Sequence, residues 1–207
     1  MLYQSYQNYT DAFEPMRSAA RGALAIADMI PGFHFMGLNR NMTAFWEMSA
    51  RSHLSHTRPD YNIDHVQVGK NHVAVHEEVV LSHPFCDLLH FARDGVSGQP
   101  KILVIAPLSG HFATLLRPTI QTLLREHDVY ITDWKNARDV HPSEGLFGFD
   151  DHIDLVMSCI ETLGPGTHVF AVCQPSVQAL AAVALMEEDD HPAAPASMML
   201  LAGPIDT

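Results

Sequence analysis

The amino-acid sequence predicts an α/β fold with a mostly parallel sheet and flanking helices, preceded by a helical region at the N-terminus. In the second half of the chain, unbroken apolar runs of strand length alternate with segments of helical periodicity. Buried parallel strands give unbroken apolar runs, whereas half-exposed strands alternate apolar and polar residues. The four runs are residues 102–106, 129–131, 169–172 and 198–202. Strands separated by helices in this way form βαβ units with right-handed crossovers.

The helical region is predicted to cover residues 1–72. Apolar residues recur at helical spacing over residues 12–24, Pro31 and Gly32 then break the pattern, and a second helical segment covers residues 42–53. The methionine and aromatic content of these helices leaves two interpretations open. They form a layer packed on the main domain, or they present a face to a hydrophobic polymer or to a lid.

Residues 73–207 are predicted to form the N-terminal half of the α/β domain. Two antiparallel strands within residues 73–91 open the sheet, and a turn at residues 94–100 separates them from the parallel part. Three helices are predicted between the parallel strands, around residues 120–124, 149–160 and 177–185. Pro118 fits the first turn of the first of these helices, and Gly164 ends the second.

The composition excludes several classes of partner. The chain has 207 residues and a net charge of −12, from 12 basic and 24 acidic side chains, so it offers little to neutralise the phosphates of a nucleic acid. No run of about 18 apolar residues predicts a membrane span, and residues 1–11 lack the features of a secretory signal. Cys86, Cys159 and Cys173 are therefore expected to be reduced thiols in the cytoplasm.

No cofactor and no metal ion is predicted. His53 with His56, and His72 with His76, have spacings that suit two ligands on one face of a helix, but neither pair is accompanied by the glutamate of a zinc motif. The glycines on either side of Pro165 end a helix and do not form a phosphate-binding loop.

The chemistry is predicted at Cys173, where the apolar run 169–172 stops and a helical pattern begins at once. A nucleophile on a sharp turn between a strand and a helix is the elbow of an α/β-hydrolase. The backbone N–H of Gln174 then faces an oxyanion on the substrate, and the helix N-terminus favours the thiolate. Pro175 replaces the second glycine of the usual Gly-x-Ser-x-Gly pattern, and proline is tolerated in a first helical turn. The alternative is that Cys173 is a small buried residue at a strand end.

A second segment fits the same site. The other half of an oxyanion hole comes from the loop after the strand at residues 102–106. That loop contains Ser109, Gly110 and His111, and Gly110 lets the backbone approach a ligand closely. We therefore expect N–H donors of this loop and of Gln174 to converge beside the thiol, where each donor contributes on the order of 10²–10³ in rate.

Several segments taken together carry a family resemblance. They are residues 106–116, 128–134, 136–140, 172–175 and 203–207, and residues 1–31 also contribute. These segments resemble the intracellular poly(3-hydroxybutyrate) depolymerases. The resemblance is most specific at Pro107-Leu108-Ser109-Gly110-His111 and at Val172-Cys173-Gln174-Pro175. The resemblance implies a cytoplasmic enzyme at the surface of storage granules, which hydrolyses the stored polyester with Cys173 as its nucleophile. The related polyester synthases share the fold and the cysteine but keep a glycine at the position of Pro175.

Part of the expected machinery is absent from the sequence. A hydrolase of this type orders its triad as nucleophile, acid and histidine, and only His191 follows Cys173 among the histidines. His191 precedes the next strand, where the base does not belong, so we expect an N-terminal fragment or truncated product that ends before the acid and the histidine of the triad. His111 is the candidate substitute base, and its alternative role is to shape the oxyanion loop or contact substrate. Asp133 and Asp139 are expected to bind backbone groups in their loop.

Three hypotheses follow from the sequence. The first is an ester hydrolase that acts on the stored polyester. The second is a non-catalytic granule-binding remnant, which keeps apolar surfaces and lacks the triad. The third is an acyltransferase related to the synthases, which extends polymer from a 3-hydroxyacyl-CoA. Because a partial sheet leaves an edge exposed where the next strand should lie, we also expect the isolated chain to be poorly soluble.

Overall fold

The structure is a computed structural model that describes residues 2–30, 37–52, 57–108, 112–137 and 139–206. The chain divides into two compact units, Met1–Thr57 and Arg58–Thr207. The first unit consists of two helices, and the second contains a sheet with helices on its faces.

The division between the units comes earlier than the predicted boundary after residue 72. The strand β1 (His65–Val68) pairs with β2 (Asn71–Ser82) in an antiparallel hairpin, with Val68 opposite Asn71. Gly69, with a φ of 59°, lies in the turn between the two strands. Residues 65–68 therefore belong to the sheet, although we predicted them in the helical region.

The first unit contains α1 (Leu2–Asp28) and α2 (Gly37–Ala50), which pack against each other. The predicted break at Pro31 and Gly32 lies outside the described residues. α2 begins before the predicted helical segment at residues 42–53 and ends sooner. Because several alanines are buried on the two helices, the backbones can approach closely; these are Ala20, Ala27 and Ala50.

Arg17 is a buried cation within the helical unit. Its guanidinium donates to the backbone oxygen of Thr10, and its Nε donates to Glu14 Oε2 over 3.0 Å. The carboxylate of Glu14 also pairs with Arg21, and these two arginines lower the pKa of Glu14. The partners of Arg17 thus come from its own helix and offset the loss of water around a buried charge.

The second unit is built on a seven-stranded sheet. Its other strands are β3 (Cys86–Arg93), β4 (Lys101–Ile105), β5 (Asp128–Trp134), β6 (His168–Val172) and β7 (Ser197–Leu201). The spatial order is β1-β2-β3-β5-β4-β6-β7. The pairs from β1 to β5 are antiparallel, whereas β5, β4, β6 and β7 run parallel to one another. This mostly parallel sheet with flanking helices confirms the predicted fold class.

Three helices connect the parallel strands: α3 (Arg117–Leu123), α4 (Phe149–Leu163) and α5 (Ser176–Glu188). From β4 the chain moves to β5 on one side, and it then crosses back to β6 and β7 on the other side. Because such crossovers are right-handed, α3 covers one face of the sheet, while α4 and α5 cover the other. Across the described residues, no helix has the length and apolar character that crossing a bilayer requires.

The core lies around β4 and β5, the central strands of the sheet. Every residue of these two strands is buried except the first of each, which is half-buried. β7 differs, because Met199 and Leu201 on one of its faces are exposed. Among the residues that the structure describes, no strand pairs with the outer edge of β7.

His152 is a buried histidine on α4. Its ring meets the indole of Trp134 edge-on, with ring centroids 4.8 Å apart, and Phe147 lies nearby. Its Nε2 has no hydrogen-bond partner among the described residues. Burial therefore disfavours the protonated ring and lowers the pKa of His152 to about 4. Because an unfolded chain binds this proton near pH 6.5, stability is lost as the pH falls from about 6.5 towards 4.

We expect His152→Phe to remove this part of the pH dependence. The phenyl ring keeps the size of the side chain and its contact with Trp134, but it takes up no proton on unfolding. Between about pH 6.5 and pH 4, the free energy of unfolding should fall by up to about 3 kcal/mol more in the native protein than in the variant. Denaturant titrations across this pH range measure the difference, and His72→Phe at an exposed site on β2 is the matched control. Parallel curves for the native protein and the His152 variant would contradict this account.

Candidate active site

Cys173 lies on the turn between β6 and α5. β6 ends at Val172 and α5 begins at Ser176, so three residues reverse the direction of the chain. Cys173 is exposed and has a φ of 66°, in the left-handed region. This conformation costs a residue with a β-carbon about 1–2 kcal/mol, and it marks a turn that its surroundings hold in place.

Short-range packing favours the turn on both sides of Cys173. Ala171, two residues before it, is fully buried and small. Pro175 is buried, its φ is −70°, and its carbonyl oxygen accepts the N–H of Ala179 over 2.9 Å. Proline therefore opens the helix without a conflict, as the sequence analysis expected. The N-terminus of α5 supplies a positive potential beside the thiol.

Two backbone hydrogen bonds hold Cys173 itself. Its N–H donates to the carbonyl oxygen of Leu201 over 2.7 Å, and its own carbonyl oxygen accepts the N–H of Ser176 over 3.1 Å. Among the described residues, no group accepts the N–H of Gln174. That N–H is the donor that the sequence analysis assigned to an oxyanion.

The chain leaves β4 directly beside this turn. β4 and β6 are parallel neighbours with Ile105 opposite Ala171, so their carboxyl ends lie at one edge of the sheet. Side chains of β5 hold both backbone groups of the next residue, Ala106. Thr132 Oγ1 accepts the N–H of Ala106 over 2.9 Å, and Trp134 Nε1 donates to its carbonyl oxygen over 2.7 Å. The start of the predicted oxyanion loop is therefore fixed.

One hydrogen bond joins this loop to the elbow. The N–H of Leu108 donates to the side-chain Oε1 of Gln174 over 3.2 Å. Ser109, Gly110 and His111 lie outside the described residues, so their part in an oxyanion hole stays a prediction. Their neighbour Leu108 lies at the elbow, which brings together the two segments that the sequence analysis selected. The sequence pattern predicts a role for the backbone of Gln174, but no local pattern indicates the contact of its side chain with Leu108.

Asp133 has a different environment from the one we expected. It lies within β5, and its Oδ2 is 2.6 Å from Arg58 Nε rather than bound to backbone groups of the following loop. Its Oδ1 and the hydroxyl of Tyr61 are buried without hydrogen-bond partners among the described residues. Burial raises the pKa of Asp133 to about 6 even though Arg58 opposes the shift. No sequence pattern links Arg58 with Asp133, because only the folded chain brings them together.

The remaining histidine candidates lie away from the elbow or outside the described residues. His191 follows the far end of α5, a helix about 20 Å long by its residue count, and its Nε2 is 3.2 Å from Glu161 Oε1. His76 on β2 is paired with Asp94. His53 and His56 lie outside the described residues. Within the described ranges, no group of three or more histidine, cysteine or acidic side chains could hold a metal ion.

Comparisons with known proteins gave matches only among solved structures. No family model and no curated protein matches the chain. One similar structure is a brefeldin A esterase, a bacterial homologue of human hormone-sensitive lipase, at 19% identity and a TM-score of 0.42, covering 69% of this chain and 42% of that one. Another is a mutant of LAE6, an α/β-hydrolase from the metagenome of Lake Arreo, Spain, at 16% identity and a TM-score of 0.44, covering 94% and 58%. The chain thus spans about half the length of these structures.

The second unit has the α/β-hydrolase fold. Three features define this fold: the first strands are antiparallel, the remaining strands are parallel and joined by crossover helices, and a strand–turn–helix elbow follows β6. The assignment rests on these elements and not on the low similarity to the solved structures.

We expect Gln174→Met to release the loop after β4. Methionine matches glutamine in length, but its sulfur is a weak acceptor for the N–H of Leu108. Amide exchange at Leu108 should accelerate by about fivefold, which corresponds to about 1 kcal/mol for one hydrogen bond. Hydrogen-exchange mass spectrometry or NMR measures this rate, and Gln121→Met at an exposed site on α3 is the control. An unchanged rate at Leu108 would show that this hydrogen bond does not hold the loop.

We expect Asp133→Asn to change how stability depends on pH. An Asp carboxyl has a pKa near 3.9 when unfolded, and the folded value of about 6 means that the folded chain binds the proton more tightly. The protonated carboxyl therefore adds up to about 3 kcal/mol to the free energy of unfolding. This contribution is fully present below about pH 4 and is lost as the pH rises through 6. Asparagine cannot ionise, so the variant should gain stability relative to the native protein over that range. Denaturant titrations test this, with Asp139→Asn at an exposed site as the control; equal slopes would refute it.

Proposed function

We propose that the protein is an ester hydrolase that uses Cys173 as its nucleophile. The observation that carries the proposal is the exposed cysteine on the left-handed turn between β6 and α5, beside the loop that leaves β4. A nucleophile in this position stands clear of the sheet, and substrate can reach it. The thiol is exposed at the start of α5, and the thiolate is the form of a cysteine that attacks a carbonyl carbon.

The other two thiols of the chain are unsuited to this role. Cys86 and Cys159 are buried, on β3 and α4. Burial raises the pKa of Cys86, and it raises the pKa of Cys159 to about 12. A thiol that stays protonated in an apolar environment is inert as a nucleophile. This contrast supports Cys173 as the reactive thiol.

The reaction proceeds in two steps. The thiolate of Cys173 attacks the ester carbonyl carbon, a C–S bond forms, and the C–O bond to the leaving alcohol breaks, which gives a thioester. The proton for the leaving alkoxide comes from a general acid, for which His111 is the candidate in this sequence, and the same group then takes a proton from the water that hydrolyses the thioester to a carboxylate and the free thiol. The N–H of Gln174 donates to the oxyanion of each tetrahedral intermediate, together with N–H groups of the Ser109–His111 loop.

We propose a stored polyester of 3-hydroxybutyrate as the substrate, hydrolysed at the surface of a cytoplasmic granule. The resemblance of several segments to the intracellular poly(3-hydroxybutyrate) depolymerases supports this choice.

The distribution of charge along the chain is compatible with an uncharged polyester substrate. The four arginines and four acidic residues of residues 1–57 cancel, so the whole net charge of −12 lies in residues 58–207. An uncharged polyester meets no electrostatic barrier, while the carboxylate product is repelled by an acidic catalytic unit.

A second candidate function is binding to granules without hydrolysis. The observation that favours it is the apolar surface of the helical unit, where large side chains of α1 and α2 are exposed: Tyr9, Met16, Phe45 and Met48. Exposed apolar groups of this kind are typical of surfaces that bind a partner or a hydrophobic phase. This function needs no triad, and an assay that separates binding from hydrolysis distinguishes the two candidates.

We expect Cys173→Ala to abolish hydrolysis while leaving the fold intact. The variant should lose at least about 10³-fold in the release of 3-hydroxybutyrate from amorphous granules and in the hydrolysis of p-nitrophenyl butyrate. Cys159→Ala is the matched control, and it should keep the activity with a stability loss of about 1 kcal/mol.

Three other results would count against the hydrolase. Sedimentation with granules but no release of 3-hydroxybutyrate by the native protein would favour the binding function. Release of CoA from a 3-hydroxyacyl-CoA with polymer growth would indicate the acyltransferase. Equal hydrolysis by the native protein and the Cys173 variant would remove the thiol from the mechanism.

A further inference from the structure

The chain that follows β7 lies directly against the elbow. A β-carbon built on Gly203 would lie 2.2 Å from Ser176 Cβ, 2.4 Å from Ser176 Oγ and 3.1 Å from the carbonyl oxygen of Cys173. The φ of Gly203 is outside the left-handed region. Glycine is therefore required at this position for space and not for backbone conformation.

Ser176 has little freedom to move away from Gly203. It is fully buried as the first residue of α5, and its N–H donates to the carbonyl oxygen of Cys173. A displacement of Ser176 is therefore transmitted to the carbonyl side of Cys173. The N–H side of Cys173 is held by Leu201, two residues before Gly203. Residues 201–203 thus bind the N–H of Cys173 directly and lie against Ser176, which binds its carbonyl oxygen.

We propose that Gly203 is a positioning residue for the thiol of Cys173. It lets the chain after β7 approach closely enough to hold the turn in its left-handed conformation. Gly203 acts through the backbone of the turn and through Ser176, and it does not touch the substrate. This inference deepens the proposed function and rests on it, since a positioned thiol matters for catalysis only when Cys173 is the nucleophile.

The test uses two measurements on each variant. The first is the rate at which iodoacetamide alkylates Cys173, followed by peptide mass spectrometry, in which the buried Cys86 and Cys159 serve as internal references. The second is kcat and KM for p-nitrophenyl butyrate. Alkylation reports the placement of the thiol whether or not the protein hydrolyses esters. A native protein that is alkylated but hydrolyses nothing would refute the proposed function and leave the positioning role testable.

Gly203→Ala should displace the turn. We expect kcat to fall by about 10²-fold with a smaller change in KM, as for a nucleophile moved by about 1 Å. Alkylation should slow by at least about twofold, because the displaced thiol moves away from the N-terminus of α5. Gly22→Ala is the matched control, since a β-carbon at Gly22 in α1 meets no atom within 4 Å. In this control, kcat and the alkylation rate should stay unchanged.

Two double variants identify the contact. Ser176→Gly removes both Ser176 atoms that a new β-carbon would meet, so Ser176→Gly/Gly203→Ala should restore both rates to within about threefold of the native values, the extent to which a coupled pair can be rescued. Ser176→Ala keeps the Ser176 β-carbon, so Ser176→Ala/Gly203→Ala should not be rescued. If Gly203→Ala alone does not fold, the rates of the glycine double variant decide the matter. Native rates in Gly203→Ala with only a lower melting temperature, or equal rates in the two double variants, would overturn the proposal.

Discussion

The site depends on a cysteine backbone held in the left-handed conformation. This conformation costs about 1–2 kcal/mol for a residue with a β-carbon, and the order of the strands provides the contacts that offset it. β6 lies between β4 and β7, and all three strands are parallel, so their carboxyl ends meet at one edge of the sheet. From the β7 side, Leu201 accepts the N–H of Cys173, and from the β4 side, Leu108 donates to the side chain of Gln174. Backbone groups that a strand end would otherwise leave unpaired thus hold the turn.

β5 supports the same edge without supplying a candidate catalytic residue. Successive side chains of a strand point to opposite faces, so Thr132 and Trp134 lie on one face and Asp133 on the other. Thr132 and Trp134 hold the two backbone groups of Ala106, and Asp133 pairs with Arg58. Ala106 is fully buried, and loss of a partner for a buried backbone group costs about 1–3 kcal/mol. The C-terminal end of β5 therefore fixes where the loop after β4 begins.

The parts of the structure that follow from local patterns could be predicted from the sequence. The parallel strands were predicted because burial on both faces leaves an unbroken apolar run, and the turn at Cys173 because a helical pattern follows such a run without a gap. β1 was missed because four residues are too few for a pattern, and only pairing with β2 defines it. The pair formed by Arg58 and Asp133 was missed because its members are far apart in the chain. Ser109, Gly110 and His111 lie outside the described residues, so their part in the expected oxyanion hole remains a prediction, as does that of the Gln174 N–H.

The glycine pattern of the elbow has a physical explanation in the packing around it. A turn this sharp brings the first turn of the helix close to a neighbouring strand, so one of the two surfaces must lack a side chain. The usual pattern places that glycine in the elbow itself. Here Ser176 and the carbonyl oxygen of Cys173 lie on the elbow side, and the space comes from Gly203 on the side of β7. The first residue of α5 therefore keeps its side chain because a glycine lies opposite it in another segment, a relation that only the folded chain reveals.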